Sequence, residues 1–592
     1  MANTKEGIDT IFQERNNFII VGLTGRTGSG CTEISNILKT KAFPFLNLKE
    51  PKKLDFNSNE ERKYTIIYNY ASKNWNPFET ISMTDAIFSF ILEIEFSELN
   101  KLFDSIVGDE LGKKIMEELD PHFVELFNSL HNELMSCINE NNKLKRGSNS
   151  DDFLQKEYAL LANIHDGQKL LKSKLKNYYY SYTIEVEDKI KNEEIKCTAN
   201  AYTYFYQQVG NNIRASGNVF KQEFTGHNMF DIAGRANDFI KAIRNHNNTL
   251  ANPKPTLVCL DAIRNPYEAT YFKDRYSSFY LISVNTEDIE RRARLNNLNK
   301  DQIDDLDRIE YPQKPKSTEI FTNQNIGACL ELSDIHIYNP HESTTEKFFL
   351  TKQIVKYVML MKHPGLVTPT QTERCMQIAY NAKLNSGCLS RQVGATITNK
   401  SYSIKAVGWN DVPEGQVPCN LRDIRSFRTN KDKMSFSQFE IENEDFNKEI
   451  SRKNKNIDYD LLNGRLHPYC FKDIYNSIKR KGDQVYTRAL HAEENAFLQI
   501  VKNGGVGIEG GYLFTTASPC ELCSKKAYQL GIKCIYYIDP YPGISISHIL
   551  NFGESNPKNP KTQLFFGAIG KAYTELYSQR LSIKDELKMI MS

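Results

Sequence analysis

Short apolar runs alternate with longer polar segments, and the first of these runs predicts a buried strand near the N-terminus. Residues 18–23 (FIIVGL) form it and lead directly into a glycine-rich segment at residues 25–32. Two further runs, residues 256–260 (TLVCL) and 279–284 (FYLISV), predict two more strands. Apolar runs of this length are typical of strands covered on both faces, so this part is predicted to be an α/β fold.

Between the first two strands the pattern changes to the three- and four-residue spacing of amphipathic helices, for example at residues 85–103. We interpret residues 85–200 as a large helical insertion. Polarity rises after residue 339, a helix-like run follows to residue 361, and a proline-punctuated stretch comes after it. The predicted organisation is therefore a first domain at 1–345, a linker at 346–372 and a second domain at 373–592.

The second domain is predicted to be a mixed sheet with flanking helices. Its predicted elements are helix 373–384, strands 392–398 and 404–409, helix 488–500, strand 511–516, helix 520–530 and strand 532–538. The helix–strand–helix–strand order at the end brings two helix N-termini to one place. Residues 422–460, rich in Lys, Asp, Glu and Asn, are predicted to be a surface insertion.

Composition narrows the class of protein. A chain of 592 residues is too long for one core. Its formal net charge of +2 gives no general attraction to nucleic acid or to anionic membranes. Apolar runs all fall short of a membrane span, the N-terminus lacks the apolar segment of a signal peptide, and the 12 cysteines follow no disulfide framework. A cytoplasmic location is expected.

Candidate chemistry is concentrated between residues 491 and 523. His491 and Glu493 are two residues apart, and Cys520 and Cys523 follow in a P-C-x-x-C segment. A catalytic zinc ion takes three protein ligands, here predicted to be His491, Cys520 and Cys523, and leaves one position for water. Glu493 would stay off the metal and carry protons between that water and a leaving amine. This H-x-E … P-C-x-x-C pattern is the signature of the zinc nucleobase deaminases.

A Cys-x-x-Cys pair alone is equally typical of a structural zinc site or a redox pair. Neither has a use for an acid two residues after the histidine, so the pattern favours a catalytic zinc.

Residues 25–32 (GRTGSGCT) follow the phosphate-loop pattern G-x-x-x-x-G-K-[ST] at every position but one. Thr32 stands where a hydroxyl would bind Mg²⁺, and Cys31 replaces the lysine that reaches the β- and γ-phosphates. Nucleotide binding is compatible with this change, whereas efficient phosphoryl transfer is not; a loop kept only for packing is the alternative. Asp261 ends the second strand, as a Mg²⁺-associated carboxylate would. The predicted nucleotide-binding residues are Gly25, Gly28, Ser29, Gly30, Cys31, Thr32 and Asp261.

The segment from Cys259 (CLDAIRNPYEATYF), the arginine cluster at residues 290–294 and DIHIYN at 334–339 together resemble the P-loop nucleotide and dephospho-CoA kinase superfamily. The resemblance implies a parallel sheet in the first domain. The arginines would belong to a lid like that of small kinases, or else form a solvated helix face.

Residues 386–395 (SGCLSRQVGA) and 408–415 (GWNDVPEG) resemble the opening of the deoxycytidylate deaminases, and the zinc motif supplies the remainder. A degenerate P-loop kinase-like domain ahead of such a domain resembles the bacterial anti-phage dCTP deaminases. That resemblance implies deamination of dCTP, dCMP or both, which would deplete deoxycytidine nucleotides during phage infection. The first domain would bind a regulatory nucleotide. A homo-oligomer is implied, and a repressing RNA or protein partner is left open.

Matched to the family, Asn410 falls where an asparagine contacts the deoxyribose. The backbone around Ala492 and Ser518 would contact the pyrimidine edge, and Tyr541 would stack on the base or serve as a core tyrosine. Arg391 and Lys525 are candidates for the substrate phosphates.

Some deoxycytidylate deaminases carry a second zinc ion, and Cys388 and Cys419 match two of its ligand positions. His467 and Cys470 would complete a closed, structural site of four ligands. Three unrelated buried cysteines are the alternative.

Two other functions are compatible with these motifs. Polynucleotide deaminases of RNA or DNA share the zinc signature, but the near-neutral charge predicts no basic groove. A nucleotide-sensing switch or interaction protein is the other alternative, based on the glycine-rich loop and the helical insertion.

Overall fold

The structure is a computed structural model. It describes residues 2–51, 58–143, 151–187, 192–296, 298–311, 317–340, 347–429, 432, 434–453, 455, 457–480, 485–505, 507–539, 544–553 and 556–591. Two compact units result. Unit 1 comprises Met1–Ile184, Ile195–Thr368 and Thr574–Ser592, and unit 2 comprises Glu185–Glu194 and Pro369–Tyr573.

The first seven strands are β1 (Phe18–Thr24), β2 (Glu79–Ser82), β3 (Tyr179–Glu187), β4 (Asn192–Asn200), β5 (Thr256–Asp261), β6 (Phe279–Asn285) and β7 (Ile335–Tyr338). Five of them lie side by side and parallel in the order β7-β6-β1-β5-β2. Strand β1 is central, and its Ile19, Ile20 and Val21 are all buried. The apolar run therefore folds as predicted, because alternate side chains on both faces of the strand are covered.

The helices up to residue 362 are α1 (Ala2–Asn17), α2 (Cys31–Leu38), α3 (Asn59–Asn74), α4 (Met83–Ile91), α5 (Phe96–Val107), α6 (Asp109–Glu117), α7 (Pro121–Lys143), α8 (Asp151–Leu175), α9 (Ala201–Ser216), α10 (Asp231–Thr249), α11 (Pro266–Arg275), α12 (Asp288–Arg294), α13 (Lys300–Glu310), α14 (Glu319–Thr322), α15 (Ile326–Leu332) and α16 (Lys347–Lys362). None of the helices in the described part of the chain combines the length and apolar character needed to cross a bilayer.

Two segments of unit 1 differ from the prediction. The segment predicted to be a helical insertion is helical through α8 but ends in the two-stranded sheet of β3 and β4. The helix-like run predicted within the linker at 346–372 is helix α16. Its Leu350, Val355 and Leu360 are at most 1% exposed, so it is a packed part of unit 1 rather than a linker. A helix that is apolar on several faces is buried rather than solvent-bridging, which explains the second difference.

Unit 2 contains β8 (Gly394–Thr398), β9 (Ile404–Trp409), β10 (Tyr512–Ala517), β11 (Cys534–Asp539), β12 (Lys561–Leu564) and β13 (Gly567–Ala568). The helices from residue 371 onward are α17 (Gln371–Ala382), α18 (Ile424–Arg428), α19 (Gln438–Glu442), α20 (Glu444–Lys453), α21 (Phe471–Lys479), α22 (Ala492–Lys502), α23 (Glu521–Gln529), α24 (Gly570–Tyr577) and α25 (Ile583–Met591).

A mixed five-stranded sheet, in the order β12-β11-β10-β8-β9, forms the middle layer of unit 2. Strands β10, β11 and β12 are parallel, and β8 is antiparallel to both β10 and β9. Leu513 packs with Ala492 and Ala527 of helices α22 and α23, whereas the next residue, Phe514, packs with Met376 of α17. Successive residues of a strand face opposite sides, so the sheet has helices on both faces.

The insertion at residues 422–460 is not a simple surface loop. Helices α18 and α20 contribute Ile424, Phe446 and Ile450 to a buried cluster that α21 completes with Ile474. Arg422 is fully buried beside this cluster and pairs with Glu440. The sequence pattern did not predict this core, because its apolar residues are few and come from separate short helices within a polar segment.

We expect Phe446→Ala to lower the free energy of unfolding of unit 2 by about 3–5 kcal/mol, because it removes a fully buried ring from this small cluster. Denaturant unfolding of the full chain measures the change. Leu461→Ala, at a position 75% exposed directly after the insertion, is the matched control and should change stability little. Equal effects of the two variants would contradict a packed insertion.

Candidate active site

The three predicted metal ligands are positioned by two helix N-termini of unit 2. His491 is the N-cap of α22, and Cys520 is the N-cap of α23, with Cys523 in the first turn of that helix. Helix α22 begins four residues later than predicted, so the histidine stands at its entrance. The positive ends of both helix dipoles therefore face the place where two thiolates would lie.

The donor atoms of His491, Cys520 and Cys523 all lie within 4.8 Å of one another. The Nδ1 atom of His491 is 3.3 Å from the Cys520 sulfur and 3.6 Å from the Cys523 sulfur. Tetrahedral zinc with Zn–S of about 2.3 Å and Zn–N of about 2.0 Å requires N–S separations of about 3.5 Å. The side chains are thus already at the spacing that a shared zinc ion imposes.

The two thiols are electrostatically unequal. A hydrogen bond from Cys523 lowers the pKa of Cys520, and the hydrogen bond to Cys520 together with burial raises the pKa of Cys523. The hydrogen bond to Cys520 also raises the pKa of His491. The site thus stabilises negative charge on the Cys520 sulfur, as a metal ligand requires.

Glu493 is the second residue of α22 and is only 4% exposed. Burial raises the pKa of its carboxyl group. The Thr515 hydroxyl is 3.1 Å from the Glu493 carboxylate and 2.8 Å from the backbone oxygen of Ala517. A hydroxyl has one hydrogen and free lone pairs, so Thr515 can donate to ionised Glu493 or accept from protonated Glu493. Both protonation states of the acid are therefore accommodated.

A cavity of about 260 Å³ opens beside these residues. Glu493, His491, Cys520, Ala492, Ser518 and Asn410 are among its lining residues. The Asn410 side-chain amide donates to the Arg391 backbone oxygen at 2.7 Å and accepts from the Val393 N–H at 2.6 Å. Its amide thus shapes the cavity wall by holding the loop that precedes β8. Tyr541 lies outside the described residues.

Three of the four residues of the expected second zinc site, Cys388, Cys419 and Cys470, line one cavity. Within the described residues, the one group of three or more metal-donor atoms within 4.8 Å is that of His491, Cys520 and Cys523. The Cys419 sulfur accepts a hydrogen bond from Arg488 at 3.6 Å. A second zinc ion stays a prediction.

Positive side chains on the cavity wall were only partly anticipated. Arg391 lines the cavity and pairs with Asp539, whereas Lys525 is exposed on α23 and is not a lining residue. Lys472 and Arg488 line the cavity as well. Lys472 lies on α21, which the insertion supports, and no local motif marks that position in the sequence.

In unit 1, residues 25–32 connect the end of β1 to α2. Gly28 and Gly30 have φ angles of 85° and 108°, and a Cβ at Gly30 would lie 2.1 Å from the Asn339 amide nitrogen. Burial raises the pKa of the Cys31 thiol to about 12, and Asp261 adds to that effect. Cys31 is therefore neutral and does not replace the missing lysine charge.

The predicted arginine cluster faces this loop. Arg291 donates to the Thr27 backbone oxygen at 3.2 Å, and Arg294 donates to the Ser29 backbone oxygen at 3.2 Å. Arg291 is only 1% exposed, so a fully solvated helix face is excluded for it.

Comparisons with known proteins give consistent similarities for unit 2. The family model described as "Cytidine and deoxycytidylate deaminase zinc-binding region" matches residues 369–539. The deoxycytidylate deaminase of Enterobacteria phage T2 is 30% identical over 167 residues, which cover 28% of this chain and 78% of that protein. The deoxycytidylate deaminase of Enterobacteria phage T4 is 29% identical, covering 28% and 76%. The crystal structure of dCMP deaminase from the cyanophage S-TIM5 in complex with dCMP and dUMP is 23% identical, covering 34% of this chain and 99% of that chain, with a TM-score of 0.20.

Proposed function

The chain belongs to the deoxycytidylate deaminase family, whose reaction is the deamination of deoxycytidine nucleotides, and we propose that it acts on dCMP and dCTP by a zinc-dependent hydrolysis. The observation that carries the proposal is the juxtaposition of three metal-donor side chains with a buried glutamate at the wall of one cavity.

His491, Cys520 and Cys523 would hold the zinc ion, since two sulfurs and one imidazole at this spacing form a common catalytic zinc ligand set. Zinc bound there supplies a Lewis acid that makes water nucleophilic near neutral pH. The buried position of Glu493 keeps bulk water from competing for its proton.

Glu493 would take a proton from the attacking water and deliver protons to N3 and to the amine leaving from C4. Burial raises the pKa of this carboxyl group, which favours its service as a proton donor as well as an acceptor. Thr515 would hold the carboxyl group in place in both states. The backbone at Ala492 and Ser518 would contact the pyrimidine edge, and Asn410 would position the loop beside the sugar.

The substrate phosphates would meet the positive wall formed by Arg391, Lys472 and Arg488. Arg391 pairs with Asp539, and Lys472 and Arg488 add two further positive charges to this wall. Phosphate oxygens attract such side chains through charge-assisted hydrogen bonds.

Lys472→Gln is expected to raise the KM for dCTP about tenfold, because one charge-assisted hydrogen bond contributes about 1.5 kcal/mol or more. The kcat should change little, since the reacting ring lies at the other end of the substrate. Steady-state kinetics with dCTP, dCMP and deoxycytidine measure both constants, and deoxycytidine should show no change. Lys525→Gln is the control; the same increase in that variant would contradict the assignment.

A substrate panel tests the function itself. Purified protein is incubated with dCTP, dCMP and a cytosine-containing oligonucleotide, and ammonia and deoxyuridine products are measured. Release of ammonia from the free nucleotides supports the proposal. Release from the oligonucleotide alone would favour a polynucleotide deaminase instead.

For unit 1, we propose nucleotide binding at residues 25–32 as a regulator of the deaminase. The support is a glycine loop at the carboxyl end of a central parallel strand, directly before a helix N-terminus. Mg²⁺ would accompany the nucleotide at Thr32 and Asp261. Depletion of deoxycytidine nucleotides in phage-infected cells, a homo-oligomeric state and a repressing RNA or protein partner belong to the same proposal.

A further inference from the structure

A buried carboxylate of unit 1 lies on the glycine-rich loop. Glu310, at the end of α13, is 0% exposed. One of its oxygens accepts from the backbone N–H of Thr27 at 3.1 Å, and the other lies 2.5 Å from the Thr27 hydroxyl. Arg264 donates to the same carboxylate and, at 3.1 Å, to the Thr27 hydroxyl oxygen. A backbone amide, a hydroxyl and a guanidinium thus converge on one anionic group.

A second carboxylate on α13 repeats the arrangement one turn earlier. Asp307 accepts from Arg26 of the loop at 2.6 Å and from Arg291 at 2.6 Å. Residues three apart lie on the same face of a helix, so α13 presents both carboxylates to the loop. Arg291 in turn donates to the Thr27 backbone oxygen. The loop and the helix are therefore joined by charge rather than by apolar packing alone.

These donors are of the kinds that bind phosphate. Loop N–H groups before a helix N-terminus and arginine guanidinium groups are the usual partners of phosphate oxygens. Here the N–H of Thr27 and the guanidinium groups of Arg26, Arg264 and Arg291 are already engaged by carboxylates of the same chain. A phosphate group and the Glu310 carboxylate cannot occupy the same donors.

We propose that Glu310, supported by Asp307, is an internal substitute for a phosphate group, and that a polyphosphate ligand binds the loop only by displacing it. The inference rests on the proposed nucleotide role of unit 1 and adds to it that the loop is self-inhibited. Affinity for the ligand is reduced by the fraction of molecules in which the carboxylate is bound to the loop. Neutralising that carboxylate should restore the affinity.

The test compares full-length wild-type protein with Glu310→Gln, using Mg²⁺–ATP and inorganic pyrophosphate as probes in isothermal titration calorimetry. Glu310→Gln should bind both probes at least about tenfold more tightly than wild type, because the competing negative charge is gone. Asp304→Asn is the control: Asp304 lies on the same helix but pairs with Arg292 at 2.7 Å, and it should bind like wild type.

Equal affinities of wild type and Glu310→Gln would overturn the self-inhibition and leave the nucleotide role intact. If neither wild type nor Glu310→Gln binds either probe, both the self-inhibition and the nucleotide role of unit 1 are overturned. Should Glu310→Gln fail to fold, as judged by thermal unfolding, Asp307→Asn carries the same test through the neighbouring carboxylate. In wild type, saturating pyrophosphate should also increase amide hydrogen exchange in residues 300–310, because Glu310 leaves the loop. Unchanged exchange while pyrophosphate is bound would contradict displacement of the Glu310 carboxylate.

Discussion

Glu493→Gln is expected to lower the kcat for dCMP and dCTP deamination by about 10³-fold, with KM changed only slightly. General acid–base groups contribute about 10²–10⁴-fold to rates, and Glu493 is the acid that faces the cavity beside the three metal-donor residues. Glutamine keeps the size and can accept a hydrogen bond from Thr515, but it cannot accept or deliver a proton. Stopped-time assays of ammonia release, with zinc content measured on the same preparation, give the result.

Glu494→Gln is the matched control for this prediction. Glu494 is adjacent in α22 but pairs with Lys526 and does not line the cavity. Its kcat should stay within a factor of about two of wild type. A Glu493→Gln enzyme that retains normal kcat with full zinc content would disprove the proton-transfer role.

The pattern of the sequence carried most of the information about this site, for a physical reason. A catalytic zinc ion needs ligands of fixed type, and helix N-termini place them at fixed offsets, so the motif is short and local. The ends of the strand and helices that bring Cys520 to His491 were predicted to within one to four residues. The structure accordingly places His491, Cys520 and Glu493 around one cavity.

Residues whose roles depend on contacts with distant parts of the chain could not be predicted from local sequence patterns. Lys472 reaches the cavity only because a polar insertion forms its own core beneath α21. Glu310 meets Thr27 across 283 residues of chain, and no spacing rule links them. The second zinc site stays a prediction: its cysteines match a family pattern and line the cavity, but they are not among the described groups of three or more donor atoms within 4.8 Å.

The two remaining proposals concern different units. The positive wall of unit 2 would set the preference for substrate phosphates, and the loop of unit 1 would regulate; the zinc motif itself supplies neither property. A motif of four residues defines the reaction at C4 of the ring. Preference for one or three phosphates would have to come from other lining residues, and Lys472 and Arg488 lie on segments outside the motif. Regulation, in turn, is the role that we propose for unit 1.

Cys523→Ala is expected to abolish stoichiometric zinc binding and, with it, deamination. Cys523 is 1% exposed, its sulfur lies 3.6 Å from His491 Nδ1, and no fourth His, Cys, Asp or Glu donor belongs to this group among the described residues. Three protein ligands are the usual number for a catalytic zinc ion, and two leave the metal weakly held. Metal analysis after extended dialysis should give one zinc per wild-type chain and far less than one for the variant.

Cys534→Ala, at a buried cysteine of β11 away from the donor group, controls for loss of a buried thiol and should keep both zinc and activity. Two zinc ions per wild-type chain would support the second zinc site. One zinc ion per chain in Cys523→Ala would contradict the assignment of Cys523 as a zinc ligand.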